Sequence, residues 1–242
     1  MFVHGWAGSA ESWTPILSLL PPGARAHSAR LPHSPRSASA SPPSIVAAAV
    51  EVASWLRSTG VPAVLVGHSL GAQVTMRVHG MVPELVRGEI VVDPAYGGSA
   101  AERSAMKSWA HDIEERGHES VDEFFRSALG GLNGADRERV VRDLADTPGW
   151  VIAAYLRSEY LDAEAFGLLP RSAEVAGLRT KPVLALHSTS EGVERERRIP
   201  APPGSRIDLW SGRGHYLHLE DPERFAALVA EWCAHVADLT SD

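Results

Sequence analysis

The residues with the clearest chemical potential in this chain are a serine and the glycines that flank it, at positions 67–71 (Gly-His-Ser-Leu-Gly). They follow an apolar run at 61–66, which predicts a buried strand, and they precede a predicted helix at 72–78. Glycines two residues before and after a serine, at a turn from strand to helix, are typical of a nucleophile elbow. Side chains at the two glycine positions would collide with neighbouring backbone, and the tight turn lifts the serine hydroxyl above the sheet. Ser69 is therefore the predicted nucleophile.

A serine hydroxyl attacks only weakly until a positioned base takes its proton, and the base needs an acid to hold its tautomer. Of the eleven histidines, His215 is the best placed, in a glycine-containing loop between the last predicted strand and the last predicted helix. His68 lies beside the serine, but its direction from the elbow favours packing. His218 and His235 are predicted to be structural or exposed. His215 is the predicted base.

Two carboxylates compete for the role of the acid, because a hydrolase of this kind runs serine, acid, histidine along the chain. Asp93 ends the predicted strand at 88–94, and Glu191 follows the predicted strand at 182–187. Each also has an ordinary interpretation: Asp93 as a strand-end cap before Pro94, and Glu191 as a solvated loop charge. The residues alone favour neither.

A tetrahedral intermediate also needs two backbone donors for its oxyanion. Leu70, directly after the predicted nucleophile, supplies one candidate N–H. The loop at 4–6 (His-Gly-Trp) supplies the other, with the N–H of Trp6 as the candidate. The alternative is that this loop only makes a turn. Gly5 and Gly8 together favour a loop that a ligand approaches closely.

The elements that must position these residues alternate between strand and helix, which predicts a mostly parallel sheet with helices on both faces. One block interrupts the alternation, because residues 96–178 have helical periodicity and contain no strand-like run. We predict a core made of residues 1–95 and 179–242, with 96–178 inserted as a helical cap over the strand ends, where ligands bind in such sheets. The helices predicted in this block cover 99–116, 120–129, 135–146 and 149–163.

Composition excludes several classes of protein. The 242 residues carry a net charge of −7, so neither nucleic acid nor a membrane surface is a predicted partner. No apolar stretch is long enough to span a membrane, and the first residues do not resemble a secretion signal, so a cytoplasmic location is predicted.

Cys233 is the only cysteine, which excludes an internal disulfide, and it is predicted to be a small buried side chain. No histidine pair has metal-ligand spacing on a predicted helix, so no metal is predicted. The chain is compatible with a homodimer.

Together these residues resemble the α/β-hydrolase superfamily in its capped form. The resemblance rests on the loop at 4–6, the elbow at 67–71, the segment at 83–88 before the Asp93 strand, the pair Gly214 and His215, and the segment at 219–225. It covers nearly the whole chain except the cap, and it implies that no metal or organic cofactor is needed.

The sequence departs from the family pattern in three places. The family has two strands before the His-Gly loop, whereas this chain starts inside the third; either its start is assigned late or its sheet is short. A loop that is normally rich in Asp and Gly reads Leu-Pro-His-Ser-Pro at 31–35. The family's usual acid position is held by Glu191, although some members place the acid where Asp93 stands.

The function predicted from the sequence is a serine hydrolase, of bacterial origin since lysine is scarce and alanine abundant, that cleaves an ester, lactone or thioester of a small molecule. Aromatic residues in the cap favour a largely apolar substrate, although many of them belong in the cap's own core: Trp109, Phe124, Phe125, Trp150, Tyr155 and Tyr160. One alternative is a lyase, cyclase or isomerase of specialised metabolism that uses the same pocket. Another is a ligand-binding protein without catalysis.

Overall fold

The computed structural model describes residues 1–239 and places six strands in one sheet. The strands are β1 (Phe2–Val3), β2 (Ser28–Ala29), β3 (Ala63–His68), β4 (Val86–Val92), β5 (Val183–His187) and β6 (Arg206–Leu209). Their order across the sheet is β2-β1-β3-β4-β5-β6, and every neighbouring pair is parallel. Parallel neighbours need long crossover connections, which helices provide here. The predicted α/β fold with a mostly parallel sheet is confirmed.

The α-helices of the described residues are α1 (Thr14–Leu17), α2 (Ile45–Thr59), α3 (Leu70–Met81), α4 (Arg103–Arg116), α5 (Asp122–Ala128), α6 (Gly134–Asp146), α7 (Gly149–Tyr160), α8 (Arg171–Ala176), α9 (Ser190–Glu196), α10 (Leu217–Glu220) and α11 (Pro222–Asp238). Helices α4 to α7 lie where the periodicity of the sequence predicts them. The short helices α8, α9 and α10 are additions that the sequence did not indicate. Within residues 1–239, no helix is both long enough and apolar enough to cross a membrane.

Alternate residues of the central strands enter two separate buried clusters. Leu65 and Val91 pack in the cluster that includes α2 and α3, whereas Val66 and Ile90 pack in the cluster that includes Trp13 and α11. This period of two is the geometry of a strand, and it explains why the runs 64–66 in β3 and 90–92 in β4 are apolar at every position. The sheet is thus held rigidly from both sides, and the residues at its carboxyl end inherit that rigidity.

The single cysteine is a correction to the sequence analysis. Helix α11 buries one stripe of side chains, which includes Val229, Trp232 and Val236. Cys233 directly follows Trp232 and is therefore turned about 100° around the helix from it. Its side chain is exposed, so the prediction that it is buried was wrong.

The register of the sheet brings distant parts of the chain to one edge. His68 at the end of β3 is paired with Val92 at the end of β4, and Val92 is paired with Leu186 near the end of β5. The residues that follow these strands, Ser69, Asp93 and Ser188, consequently emerge side by side.

Candidate active site

Ser69 sits at a strained turn between β3 and α3. Its backbone has φ 52° and ψ −119°, a conformation that residues with a side chain rarely adopt. The flanking glycines are required by space: a Cβ at residue 67 would lie 2.5 Å from the carbonyl oxygen of Gly71, and a Cβ at residue 71 would lie 2.4 Å from that of Val3. The serine side chain borders a cavity of about 460 Å³.

His215 lies at the same cavity, in the loop between β6 and α10. Its Nδ1 is 2.8 Å from Oδ2 of Asp93, the residue that follows β4. Asp93 also accepts hydrogen bonds from the backbone N–H and the hydroxyl of Ser188, each at 3.0 Å. Burial opposes ionisation of Asp93, but the hydrogen bonds from His215 and Ser188 outweigh it, so the pKa of this carboxyl is lowered. The arrangement holds a carboxylate against one nitrogen of the imidazole and leaves the other nitrogen, Nε2, available.

Glu191, the competing acid candidate, is placed differently. It lies in the first turn of α9 and not in a loop, because the hydroxyl of Thr189 accepts a hydrogen bond from the N–H of Gly192 and starts a helix there. Its side chain is 75% exposed and pairs with Arg195, at 2.7 Å. The structure therefore brings Asp93, and not Glu191, to His215.

The imidazole of His68 supports the loop that carries His215. Its Nε2–H donates to the carbonyl oxygen of His215 at 3.0 Å, and its ring packs on those of His215 and His218 at centroid distances of 4.7 and 4.5 Å. Burial, with a further contribution from these two histidines, keeps the pKa of His68 well below its ordinary value. A neutral His68 therefore fits the packing position that its direction from the elbow predicts.

The two candidate oxyanion donors occupy facing segments of backbone. Leu70 is the first residue of α3, so its N–H has no acceptor one turn earlier in the helix. Trp6 lies in the loop after β1, and its indole N–H donates to the carbonyl oxygen of Ile152 in α7 at 3.0 Å. This bond ties the loop to the helices between β4 and β5.

One part of the cavity, here named the aromatic wall, is formed by Trp6, Trp109, Phe124, Met106 and Leu156. The Trp6 ring lies 5.2 Å from that of Trp109 and 5.8 Å from that of Phe124. Of the aromatic residues that the sequence singled out, Tyr160 also lines the cavity. Phe125 and Tyr155 belong to the core instead, and Trp150 is 55% exposed at the surface.

A second part of the cavity is here named the acidic wall, and sequence reasoning singled out only one of its residues, Glu191. It consists of Glu102, Glu159, Glu191 and Glu196. Glu159 is only 3% exposed, and burial raises its pKa well above the ordinary value. A signal for it exists in the sequence, because Glu159 falls on the apolar face of the predicted helix, three residues after the buried Leu156.

The fold agrees with the comparisons to known proteins. The chain belongs to the alpha/beta hydrolase family, whose model matches residues 1–228, and the resemblance stated from the sequence is thereby confirmed. Family membership supports a hydrolase. A comparison with curated proteins finds no match.

Solved structures with the same fold cover nearly the whole chain. A thermophilic esterase from Thermogutta terrifontis, with malate bound, has a TM-score of 0.79 at 19% identity, over 97% of this chain and 89% of that one. The esterase RhEst1 from Rhodococcus sp. has a TM-score of 0.73 at 25% identity, over 97% and 90%. A bromoperoxidase from Bacillus anthracis has a TM-score of 0.76 at 16% identity, over 95% and 89%. Proteins named for different reactions share this fold, so the chemistry must be argued from the site.

Proposed function

We propose that the protein is a serine hydrolase that cleaves an ester, lactone or thioester of a small, largely apolar molecule through an acyl-enzyme on Ser69. The observation that carries the proposal is the 2.8 Å contact between His215 Nδ1 and Asp93 Oδ2 beside a serine held in an elbow conformation. A carboxylate that accepts from Nδ1–H leaves the lone pair on Nε2, which is the tautomer that a general base needs.

The reaction divides into two displacements at one carbonyl carbon. In the first, His215 Nε2 takes the proton of the Ser69 hydroxyl as Oγ attacks, and the same proton then passes to the departing alcohol or thiol. In the second, His215 takes a proton from water, hydroxide attacks the acyl-enzyme, and Ser69 leaves with that proton. Asp93 stabilises the imidazolium that forms in each step.

The oxyanion of each tetrahedral intermediate is assigned to the backbone N–H groups of Trp6 and Leu70. Both are fixed before substrate arrives, Leu70 by α3 and Trp6 by the indole bond to Ile152. Donors that are already oriented stabilise charge without reorganisation, and losing one such donor costs about two to three orders of magnitude in rate.

We assign residues 96–178 as a cap over this site. Their contributions to the cavity include Trp109 and Phe124 of the aromatic wall and Glu159 of the acidic wall. A cap that supplies most of one wall shapes the substrate that fits, and it limits the access of water to the acyl-enzyme.

The experiment that tests the proposal is intact-mass analysis after exposure to a fluorophosphonate probe, with Ser69→Ala as the control. We expect one adduct on the native protein and none on the variant, because the probe reacts only with an activated serine. An unmodified native protein would contradict the nucleophile assignment and would favour proton-transfer chemistry in the same cavity.

A further inference from the structure

The cavity that holds Ser69 carries an excess of negative charge. Five of its described lining residues are acids, against a single arginine and no lysine: Asp93, Glu102, Glu159, Glu191 and Glu196, with Arg195. A cleft lined by charges of one sign concentrates ligands of the opposite sign. The question is which of these acids remain available to a ligand.

Four of the five acids are paired with a histidine or an arginine side chain. Asp93 is held against His215. Arg195 lies 2.7 Å from Glu191 and 3.6 Å from Glu102, so its charge is shared between these two. The fourth is Glu196, which accepts from the hydroxyl of Tyr96 at 3.1 Å and lies 3.4 Å from Nε2 of His187.

Glu159 is the exception. One oxygen, Oε1, accepts from the amide of Gln73 at 3.3 Å, and within the part of the chain that the structure describes no donor reaches Oε2 and no cation pairs with the carboxyl. Gln73 stands four residues after Ser69, and its amide also donates to the carbonyl oxygen of Ala95 at 2.7 Å. The backbone of Ala95 in turn contacts that of Ser69. A nearly buried carboxyl with an unused oxygen therefore lies within the cavity of the nucleophile.

We propose that this cavity selects esters that carry a positively charged nitrogen, and that Glu159 is the residue that holds the ammonium group. The inference rests on the proposed hydrolase function and adds the substrate class. A buried carboxyl without a counter-charge is costly, and a ligand cation supplies the missing partner.

The rest of the cavity favours the same class of substrate. A cation beside Glu159 favours the ionised carboxylate and so opposes the effect of burial, which raises the pKa of this group. Rings of Trp6, Trp109 and Phe124 line the same cavity, and aromatic faces attract alkylated ammonium groups. An anionic substrate would instead meet the acidic wall, and the one arginine among the described lining residues, Arg195, is already paired.

The test compares cationic esters with neutral esters of the same shape. Choline butyrate and the isostere in which carbon replaces the ammonium nitrogen place the charge on the alcohol part. The p-nitrophenyl ester of a trimethylammonio acid and its tert-butyl isostere place it on the acyl part. We expect kcat/KM for the cation to exceed that for the isostere by about fivefold or more in at least one pair, the size of one partly desolvated cation contact.

Substitution of Glu159 tests whether this residue causes the preference for cationic esters. Glu159→Gln keeps the size of the side chain and removes its charge. We therefore expect the ratio of kcat/KM for the cationic ester over its neutral isostere to fall most of the way to one. The matched control is Glu138→Gln, the same change at an exposed position of α6, for which the native ratio is expected.

Different outcomes would contradict the selection of cationic esters and the proposed hydrolase function. Ratios below about fivefold in both pairs, or a ratio unchanged in Glu159→Gln, would overturn the inference while neutral esters are still hydrolysed. No turnover of any of the four esters by a protein that the fluorophosphonate labels would also overturn the inference alone. Failure of the label itself would overturn the proposed function.

Discussion

Nδ1 of His215 lies 2.8 Å from Oδ2 of Asp93, although the two residues are 122 positions apart in the chain. Asp93 is presented by the end of β4, and His215 by the loop that follows β6. Ser188, which follows β5, donates its N–H and its hydroxyl to the same carboxylate. The contact therefore follows from the strand order, because β4, β5 and β6 bring Asp93, Ser188 and His215 to the same edge of one parallel sheet.

The first prediction separates the two acid candidates. Asp93→Asn should lower kcat by roughly three to four orders of magnitude, because an amide at this position no longer favours the tautomer with the proton on Nδ1. Glu191→Gln should cost less than about tenfold, since its carboxylate is solvated and pairs only with Arg195. Steady-state kinetics on one neutral ester measures both, with far-ultraviolet circular dichroism to show that each variant is folded. Equal losses in the two variants would refute the assignment of Asp93.

The second prediction concerns the backbone strain at Ser69, the proposed nucleophile. Ser69 has φ 52° and ψ −119°, which glycine adopts without the steric penalty that a Cβ brings. Ser69→Gly should therefore unfold at a higher urea concentration than Ser69→Ala, by about 1 kcal/mol in the free energy of unfolding, with both variants inactive. Because both lose the hydroxyl, the comparison isolates the backbone. An alanine variant at least as stable as the glycine variant would show that the strain at this position does not exceed the conformational entropy that glycine adds to the unfolded state.

The features of this site that neighbouring residues form can be predicted from the sequence, whereas those formed by residues far apart in the chain cannot. The elbow at 67–71 is local, so its glycines reveal it directly. Asp93 and Glu191 both follow buried strands, and local pattern cannot choose between them, because the choice depends on the direction in which each side chain leaves the sheet. The acidic wall is harder still, since its residues come from segments that meet only in the folded chain. Glu191 was visible because it follows a predicted strand, and Glu159 had a signal as an acid on an apolar helix face.

A third prediction follows from a buried histidine. His218 packs on Trp13 and Phe225, at ring distances of 4.7 and 5.7 Å, and burial, then the charge of His215, lower its pKa to about 3. In the unfolded chain the same side chain titrates near 6.5, so the unfolded state binds the extra proton between these values. Stability must therefore fall as the pH falls below about 6.5, by roughly 1.4 kcal/mol per pH unit for this one proton.

Replacing this histidine tests the sign of that effect. His218→Phe removes the titrating group and keeps an aromatic ring, so the loss of stability between pH 7 and pH 5 should shrink by about 2 kcal/mol, as measured by urea unfolding at each pH. His111→Gln is the control, since the side chain of His111 is 65% exposed. Parallel pH curves for the native protein and His218→Phe would mean that His218 is protonated in the fold.

The last prediction tests whether the aromatic wall holds the acyl chain of the substrate. Trp109 lines the cavity and contacts the ring of Trp6, so Trp109→Ala should open apolar space next to the site of attack. Each additional methylene that fits an apolar pocket is worth about tenfold or more in specificity. The ratio of kcat/KM for p-nitrophenyl octanoate over p-nitrophenyl acetate should therefore rise by about tenfold or more in this variant.

Trp150→Ala is the matched control for that change, because Trp150 belongs to the same segment, is 55% exposed and lies outside the cavity lining. It removes the same volume of side chain without enlarging the cavity, so the native ratio of the two esters should persist. A general loosening of residues 96–178 would shift both variants together. A shift confined to Trp109→Ala would instead place the acyl chain against the aromatic wall, and the absence of a shift in either variant would place it elsewhere in the cavity.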